Sequence, residues 1–336
     1  MEHNKSTRGR PSRQAVYQRL EDAIAELRDR LGGLPTPTEA EDIWTAIWYQ
    51  EAHHSTALEG NTLVLQQVEV LLAEGRAVGN KELREYLEVR GYADAARWVY
   101  GQALEPGDWK SGTTPVTLTE VRHIHELALG PAWEVSPHPN ARTNEKPGSF
   151  REHDIEPFPG GMTPPSWVHV PAIMTDWVRS LSSIASAPNV IEGIAAAHGE
   201  FERAHPFLDG NGRAGRLVMN LLLVRFGYPP VIVYTRDRTR YLSALRRADS
   251  ADPGPLGEMI ARAVLDSLYR FVVPAIAGPR RLVPLASLAN KDQSVFMLRA
   301  AIERGRLKAQ KAPDGQWRSS QAWVDEYVAS KYQRQR

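Results

Sequence analysis

The chain has 336 residues, 42% of them hydrophobic and 24% charged, which is enough for two or three folded domains with substantial cores. The absence of cysteine excludes disulfides and thiolate metal sites and suits a reducing compartment. The formal net charge is only +1, but residues 280–336 hold twelve Lys or Arg against five Asp or Glu. Such a basic segment favours a polyanionic partner, with a solvated basic surface as the alternative.

No segment of the sequence is predicted to enter or cross a membrane. The N-terminal stretch MEHNKSTRGRPSR lacks the apolar run of a signal peptide. The most apolar run, at 217–233, is interrupted by Asn220, Arg225 and two prolines, so it is not expected to cross a bilayer. We therefore expect a cytoplasmic protein with no membrane partner.

The first part of the chain is predicted to be helical. Apolar residues recur at helical spacing from Ser12 to about Leu31, and a Gly- and Pro-rich break follows. A second helix is predicted from about Glu39 to near Gly60, and two more over 62–76 and 81–105.

The middle of the chain begins with a loop and a helix start. Residues 110–115 (KSGTTP) favour a loop, and TLTE at 117–120 is a capping box that opens another helix. Residues 136–169 are dense in Pro, Gly, His and Asn, which predicts a long functional loop with room for short strands. Helical spacing resumes over 171–186 and from about Asn189.

Residues 205–216 read HPFLDGNGRAGR. Pro206 and the Gly-Asn-Gly run demand a loop, and helical spacing resumes at Arg213 and ends near Gly227. A tight loop that feeds a helix N-terminus is a ready anion site, and Arg213 and Arg216 share a face beside it, which suggests more than one phosphate. Asp209 would hold Mg²⁺ against those phosphates, and His205 is a base for neutral pH. The combination predicts transfer chemistry on a nucleotide phosphate.

The C-terminal part has its own pattern. Residues 274–281 read as a linker, followed by two short helices that end at Gly305, a hairpin that turns at 313–315, and a helix capped by Ser319 or Ser320. Residues 282–330 resemble small winged helix-turn-helix domains. That resemblance implies a DNA or RNA partner, and the alternative is a protein-docking or dimerisation module. The cations expected along its second helix and wing are Arg299, Arg304, Arg306, Lys308, Lys311 and Arg318.

The stretch at 205–216 resembles, at every position, the HxFx(D/E)GNGRxxR signature of Fic-domain proteins, and the similarity extends over roughly residues 40–275. The family is helical and mostly transfers AMP from ATP to a hydroxyl of a target protein. The resemblance implies a mainly all-α fold with a short β-hairpin flap at 151–166 that docks the target segment as an added strand. The implied domains are an N-terminal helical region (1–105), a Fic core (106–275) and a winged-helix-like domain (282–334).

The resemblance also implies a role for each motif residue. His205 deprotonates the acceptor hydroxyl, Asp209 holds Mg²⁺, and Arg216 clamps the γ-phosphate. Phe207 is expected to pack in the core and fix the loop beside the nucleotide. The catalytic set is His205, Asn211 and Arg213. The nucleotide-binding set is Phe207, Gly210, Asn211, Gly212, Arg213, Arg216 and Tyr241. The segment at 239–249 departs from the family's adenine-binding pattern at Leu242 and Asp249, which leaves the nucleotide open.

A second motif lies upstream. STALEGN at 55–61 matches the family's inhibitory pattern (S/T)xxxE(G/N) through Ser55, Glu59 and Gly60. The resemblance implies that Glu59 pairs with Arg216 and withholds it from the γ-phosphate; the alternative is a glutamate on a solvated helix end.

The sequence therefore predicts an autoinhibited, Mg²⁺-dependent protein adenylyltransferase that uses ATP and acts on a Ser, Thr or Tyr of a target protein or of itself. One alternative is a Fic enzyme that removes AMP or transfers another nucleotide or phosphate-linked group. Another is a nucleotide-sensing DNA-binding regulator. A homo-oligomer is compatible with each of these three functions.

Overall fold

The computed structural model describes residues 11–37, 39–102, 113–156, 162–312 and 315–333. These ranges hold thirteen α-helices and three short strands. The helices are α1 (Arg13–Leu31), α2 (Glu41–Leu58), α3 (Leu65–Glu74), α4 (Leu83–Gly101), α5 (Leu118–Val135), α6 (Val170–Ser180), α7 (Val190–Ala204), α8 (Asn211–Arg225), α9 (Arg238–Asp249), α10 (Gly254–Ser267), α11 (Val273–Ile276), α12 (Val295–Glu303) and α13 (Gln321–Gln333). The strands are β1 (Val283–Pro284), β2 (Gln310–Lys311) and β3 (Trp317–Ser319).

Side-chain caps start several helices where the sequence predicted them. Ser12 accepts a hydrogen bond from the amide of Ala15 at 3.2 Å. Thr117 and Glu120 form the predicted capping box, with the Glu120 carboxylate 2.8 Å from the Thr117 amide. Ser320 accepts from the amide of Trp323 at 3.3 Å and so caps α13. Each cap satisfies an amide that has no partner within its helix.

The mainly helical architecture is confirmed, and the structure differs from the prediction at three places. Helix α8 begins two residues earlier than predicted, because Gly210 takes the left-handed conformation (φ +76°) and the helix can start at once. The predicted linker at 274–281 is helical at its start, since a π-helical turn over Leu268–Val272 continues α10 into α11. No strand lies in 136–156 or 162–169, and the centre of the predicted flap, 157–161, lies outside the described residues.

Helix α8 is the centre of the molecule. Every residue from Arg213 to Val224 is buried, and α8 packs against α4, α5 and α7. The three-stranded antiparallel sheet at the C-terminal end has the order β1-β3-β2, with Val283 opposite Ser319 and Lys311 opposite Trp317. No helix in the described ranges is long and apolar enough to cross a membrane.

A buried carboxylate joins α2 to α4 and α8. Glu51 of α2 is 2% exposed and accepts hydrogen bonds from the hydroxyl of Tyr92 (2.6 Å), the hydroxyl of Tyr100 and the amide of Asn220 (2.7 Å). Burial raises the pKa of Glu51 to about 7, although its three donors and the charge of Arg216 act in the opposite direction. Glu51 thus fixes α2, the helix that Glu59 caps, against α8.

The raised pKa predicts a pH-dependent effect on stability. The folded state binds the Glu51 proton more tightly than the unfolded state does, so the free energy of unfolding falls as pH rises from about 4.5 towards 7. Glu51→Gln keeps the hydrogen-bonding shape without this titration. Calorimetry at each pH gives the Tm of the variant minus that of the native protein. We expect this difference to increase by about 2–4 °C or more between about pH 5 and 8. A Tm difference that does not change with pH would contradict this.

Candidate active site

The loop between α7 and α8 carries most of the predicted chemistry. His205 adopts the left-handed conformation (φ +45°, ψ +59°), in which a residue before proline is strained, and this turns the chain out of α7. Asn211 closes the loop, because its side chain accepts from the amide of Phe207 (2.8 Å) and donates to the carbonyl of Phe207 (2.7 Å). The first turn of α8 therefore begins at a fixed place, with its unpaired amides available to an anion.

His205 is held as a neutral imidazole. Its Nδ1–H donates to the carbonyl of Glu202 at 3.2 Å, which leaves the lone pair on Nε2. Burial, with a smaller contribution from the charge of Arg151, lowers the pKa of His205 to about 4. At neutral pH the ring is therefore unprotonated and competent as a base.

Asp209 lies at the same end of α8. Its carboxylate accepts from the amide of Gly210 (2.6 Å) and from Arg213 (3.2 Å), and Arg84 is 3.9 Å away. Burial alone would raise the pKa of Asp209, but Arg213, the Gly210 amide and Arg84 lower it below its usual value, so the carboxylate is ionised. The described residues contain no group of three potential ligands for a metal. One ionised carboxylate fits Mg²⁺ that takes its other ligands from phosphates and water.

A cavity of about 400 Å³ opens beside this loop. His205, Gly212 and Arg216 line one side, next to the start of α8. Tyr241, Leu242 and Leu245 of α9 give the other side an apolar surface. The remaining lining residues are Glu59, Met162, Glu202, Arg238 and Arg246. A cavity with a polar anion end and an apolar end matches a ligand that combines phosphates with an aromatic base.

Glu59 occupies the anion end of the cavity. Its carboxylate lies 2.7 Å from Nη2 of Arg216, while Ser55 accepts from the same guanidinium through its hydroxyl (2.7 Å) and its carbonyl (3.0 Å). Arg216 is 4% exposed, whereas the Glu59 side chain is 42% exposed. A Cβ atom at Gly212 would lie only 2.4 Å from the Glu59 carboxylate, so a larger residue there would force that carboxylate to move. Although burial opposes it, Arg216 lowers the pKa of Glu59, which is therefore ionised.

Comparison with known proteins agrees with this geometry. Residues 115–223 match the family model for the Fic/DOC family. The chain contains a Fic domain. It is 30% identical over 280 residues to protein adenylyltransferase Fic of Nematostella vectensis, covering 81% of this chain and 60% of that protein. It is 29% identical over 268 residues to protein adenylyltransferase fic-1 of Caenorhabditis briggsae, covering 79% and 49%.

Comparison of the fold with solved structures also finds a Fic protein. The structure of a fragment of Fic-1 from C. elegans aligns with a TM-score of 0.62 and 27% identity, and the alignment covers 77% of this chain and 71% of the fragment. The chain spans about half to three fifths of the length of the two curated relatives just named.

Several of the predicted site residues have side chains that contact other parts of the chain. Phe207 is fully buried and stacks on the His125 ring at 3.7 Å, so its side chain packs the loop. The Asn211 side chain is engaged with the loop backbone, as described above, and Tyr241 bonds to Nε2 of His198 at 2.7 Å. Glu59 is the residue that caps α2, one position past the end of the helix that was predicted to carry it. The roles of these residues in catalysis and binding stay predictions.

Two residues that support the loop were missed. Arg151 is 2% exposed and its Nε donates to the carbonyl of His205 at 2.9 Å. His125 of α5 donates from Nε2 to the carbonyl of Asp209 (2.8 Å) and accepts from the Gly148 amide (2.8 Å). Arg151 lies within the region of family similarity (40–275) but was given no role, and no local pattern distinguishes His125.

Proposed function

We propose that the protein is an autoinhibited protein adenylyltransferase, which transfers AMP from ATP to a Ser, Thr or Tyr hydroxyl. One observation carries the proposal: a neutral His205, the start of α8 and Arg216 line the same cavity, and Glu59 holds Arg216 there. A site that only bound a nucleotide would have no need of a base. The names of the curated relatives support the same activity.

In the proposed reaction, Nε2 of His205 takes the proton of the acceptor hydroxyl as its oxygen attacks the α-phosphorus. The new P–O bond forms as the bond to the leaving pyrophosphate breaks, so AMP becomes linked to the protein. The amides at the start of α8 and the guanidinium of Arg213 would stabilise the negative charge that develops on the phosphate oxygens. Asp209 would hold Mg²⁺, which neutralises phosphate charge when bound.

Glu59 would restrain this reaction electrostatically. Its carboxylate is paired with the guanidinium expected to bind the γ-phosphate, and like charge would repel a phosphate from the same place. ATP would then bind without the contact that aligns its α-phosphorus.

Intact-mass measurement tests the proposal. The variant Glu59→Gly is incubated with Mg²⁺ and each nucleoside triphosphate in turn, and Glu59→Gly/His205→Ala is the control. A mass gain of one AMP that needs both ATP and His205 is expected. A gain with another nucleotide would support the alternative in which a different phosphate-linked group is transferred, and no gain with any donor and any offered protein would contradict transfer.

The low pKa of His205 predicts the pH dependence of the reaction. An imidazole with a lowered pKa stays unprotonated down to more acidic pH, so the base is available above about pH 4. In Glu59→Gly we expect the rate of self-modification to be insensitive to His205 protonation between about pH 5.5 and 7.5. Circular dichroism at each pH controls for unfolding. A half-maximal rate near pH 6.5, the ordinary value for histidine, would show that the ring is not held as described.

A further inference from the structure

A continuous groove runs between the helical body and the C-terminal sheet, away from the cavity at His205. It consists of two clefts of about 520 and 700 Å³. The clefts share three lining residues, Arg19, Ala286 and Val295, so they adjoin each other. The first cleft lies between α12 and the β2–β3 hairpin, and the second between α10 and the start of α12.

The groove is strongly cationic. Its described lining contains six cationic side chains and a single carboxylate. The body supplies Arg19, Arg262 and Arg270, and the C-terminal part supplies Lys291, Arg299 and Lys311. The carboxylate, Asp266, accepts a hydrogen bond from the hydroxyl of Tyr234 at 2.9 Å. Cations on both walls of one groove raise the local concentration of an anionic chain and attract it along its length.

The same groove offers apolar and aromatic surface. The half-buried Trp317 lies at one end, and Val295, in the shared segment, is 43% exposed. The next two residues of α12, Phe296 (79% exposed) and Met297 (43% exposed), follow Val295 in the chain but do not line either cleft. The groove therefore combines its cations with an aromatic side chain, Trp317, and a partly exposed apolar one, Val295.

We propose that this groove binds single-stranded nucleic acid. Such a strand combines a regularly charged backbone with flat aromatic bases, and a cationic groove with aromatic platforms is how proteins bind it without sequence preference. An acidic peptide would satisfy the cations but would bring no flat base to stack on Trp317. A duplex keeps its bases stacked on one another, so it would leave Trp317 without a partner.

Two of the six lining cations pair with carboxylates. Arg262 is held at 2.8 Å by the mostly buried Glu258, so it offers little charge to a strand, whereas the other pair is exposed. Arg299 pairs with Glu303 at 3.0 Å, but both side chains are more than half exposed, so a phosphate can replace the carboxylate at little cost. Arg90 and Asp94 on α4 form a pair of the same spacing and length, also about half exposed, and Arg90 does not line the groove. Arg90 is therefore a matched control.

Fluorescence anisotropy with a labelled oligonucleotide of about 16 nucleotides tests the proposal, with the full chain and no nucleoside triphosphate. We expect Arg299→Glu/Lys311→Glu to weaken binding of the strand at least tenfold. The slope of log affinity against log salt should also fall by about 1.4, for two lost phosphate contacts. Arg90→Glu should bind like the native protein, and a duplex of the same length should bind more weakly than the strand.

Four results would overturn the proposal: no binding of the strand, equal affinity of the double variant, equal loss in Arg90→Glu, or tighter binding of the duplex. The last would indicate a duplex-binding surface. Because no triphosphate or acceptor protein is present, the outcome is independent of whether the protein transfers AMP.

Discussion

Replacing His205 with alanine is expected to reduce the rate of AMP transfer by about 10²–10⁴-fold, the usual contribution of a positioned base. The structure gives the reason, since the ring is neutral, has its tautomer set by the Glu202 carbonyl, and faces the cavity. The loss should appear in kcat with little change in KM for ATP, because the imidazole acts on the acceptor proton rather than on the nucleotide.

The comparison is made in the Glu59→Gly background by following intact mass over time. His123→Ala is the control, because His123 lies on α5, is 41% exposed and does not line the cavity. A His205→Ala variant that kept more than about a tenth of the rate would exclude His205 as the base.

Replacing Glu59 with glycine is expected to raise the rate of AMP transfer at least tenfold, which corresponds to about 1.4 kcal/mol of activation free energy. The change removes the carboxylate that lies 2.7 Å from Arg216 and over Gly212, so the guanidinium can turn to a phosphate. A second variant, Glu59→Gln, removes the charge but keeps the side-chain volume. It should also raise the rate if the restraint is electrostatic.

Glu74→Gly is a matched control for this change. Glu74 also stands at the end of a helix and also pairs with an arginine, Arg76, at 2.6 Å, but it does not line the cavity. Its replacement should leave the rate unchanged. Equal rates in the native protein and in Glu59→Gly would contradict the restraint.

Glu59 contacts a buried arginine, so the cost of breaking this contact has to be considered. Arg216 is 4% exposed, and removing one partner of a buried charge usually destabilises a protein by several kcal/mol. Here Ser55 continues to bond the guanidinium through two oxygens, and the partly exposed Glu59 leaves space that an anion can fill. The arrangement is therefore compatible with a contact that opens without unfolding.

Local sequence patterns predicted most of the helices and the loop at 205–216. Caps such as Thr117 act through neighbours within a few residues, so they can be predicted from the sequence. The start of α8 was misplaced by two residues because the conformation of Gly210 alone decides it.

Contacts between distant parts of the chain could not be predicted in the same way. Arg151 reaches His205 across 54 residues, and His125 reaches Asp209 across 84. Glu51 bonds Asn220 across 169 residues, and nothing in its own helix indicates a carboxylate that is 2% exposed. These contacts depend on how α2, α5 and α8 pack, which hydrophobic spacing leaves undetermined. The roles of the motif residues came from the family resemblance.

A double-mutant cycle on Glu59 and Arg216 tests the central claim most directly. The rate of AMP transfer is measured in the native protein, Glu59→Gly, Arg216→Ala and the double variant. If Glu59 acts by holding Arg216, its removal should raise the rate at least tenfold when Arg216 is present and should change it little in Arg216→Ala. The same increase in both backgrounds would show that Glu59 does not act through Arg216.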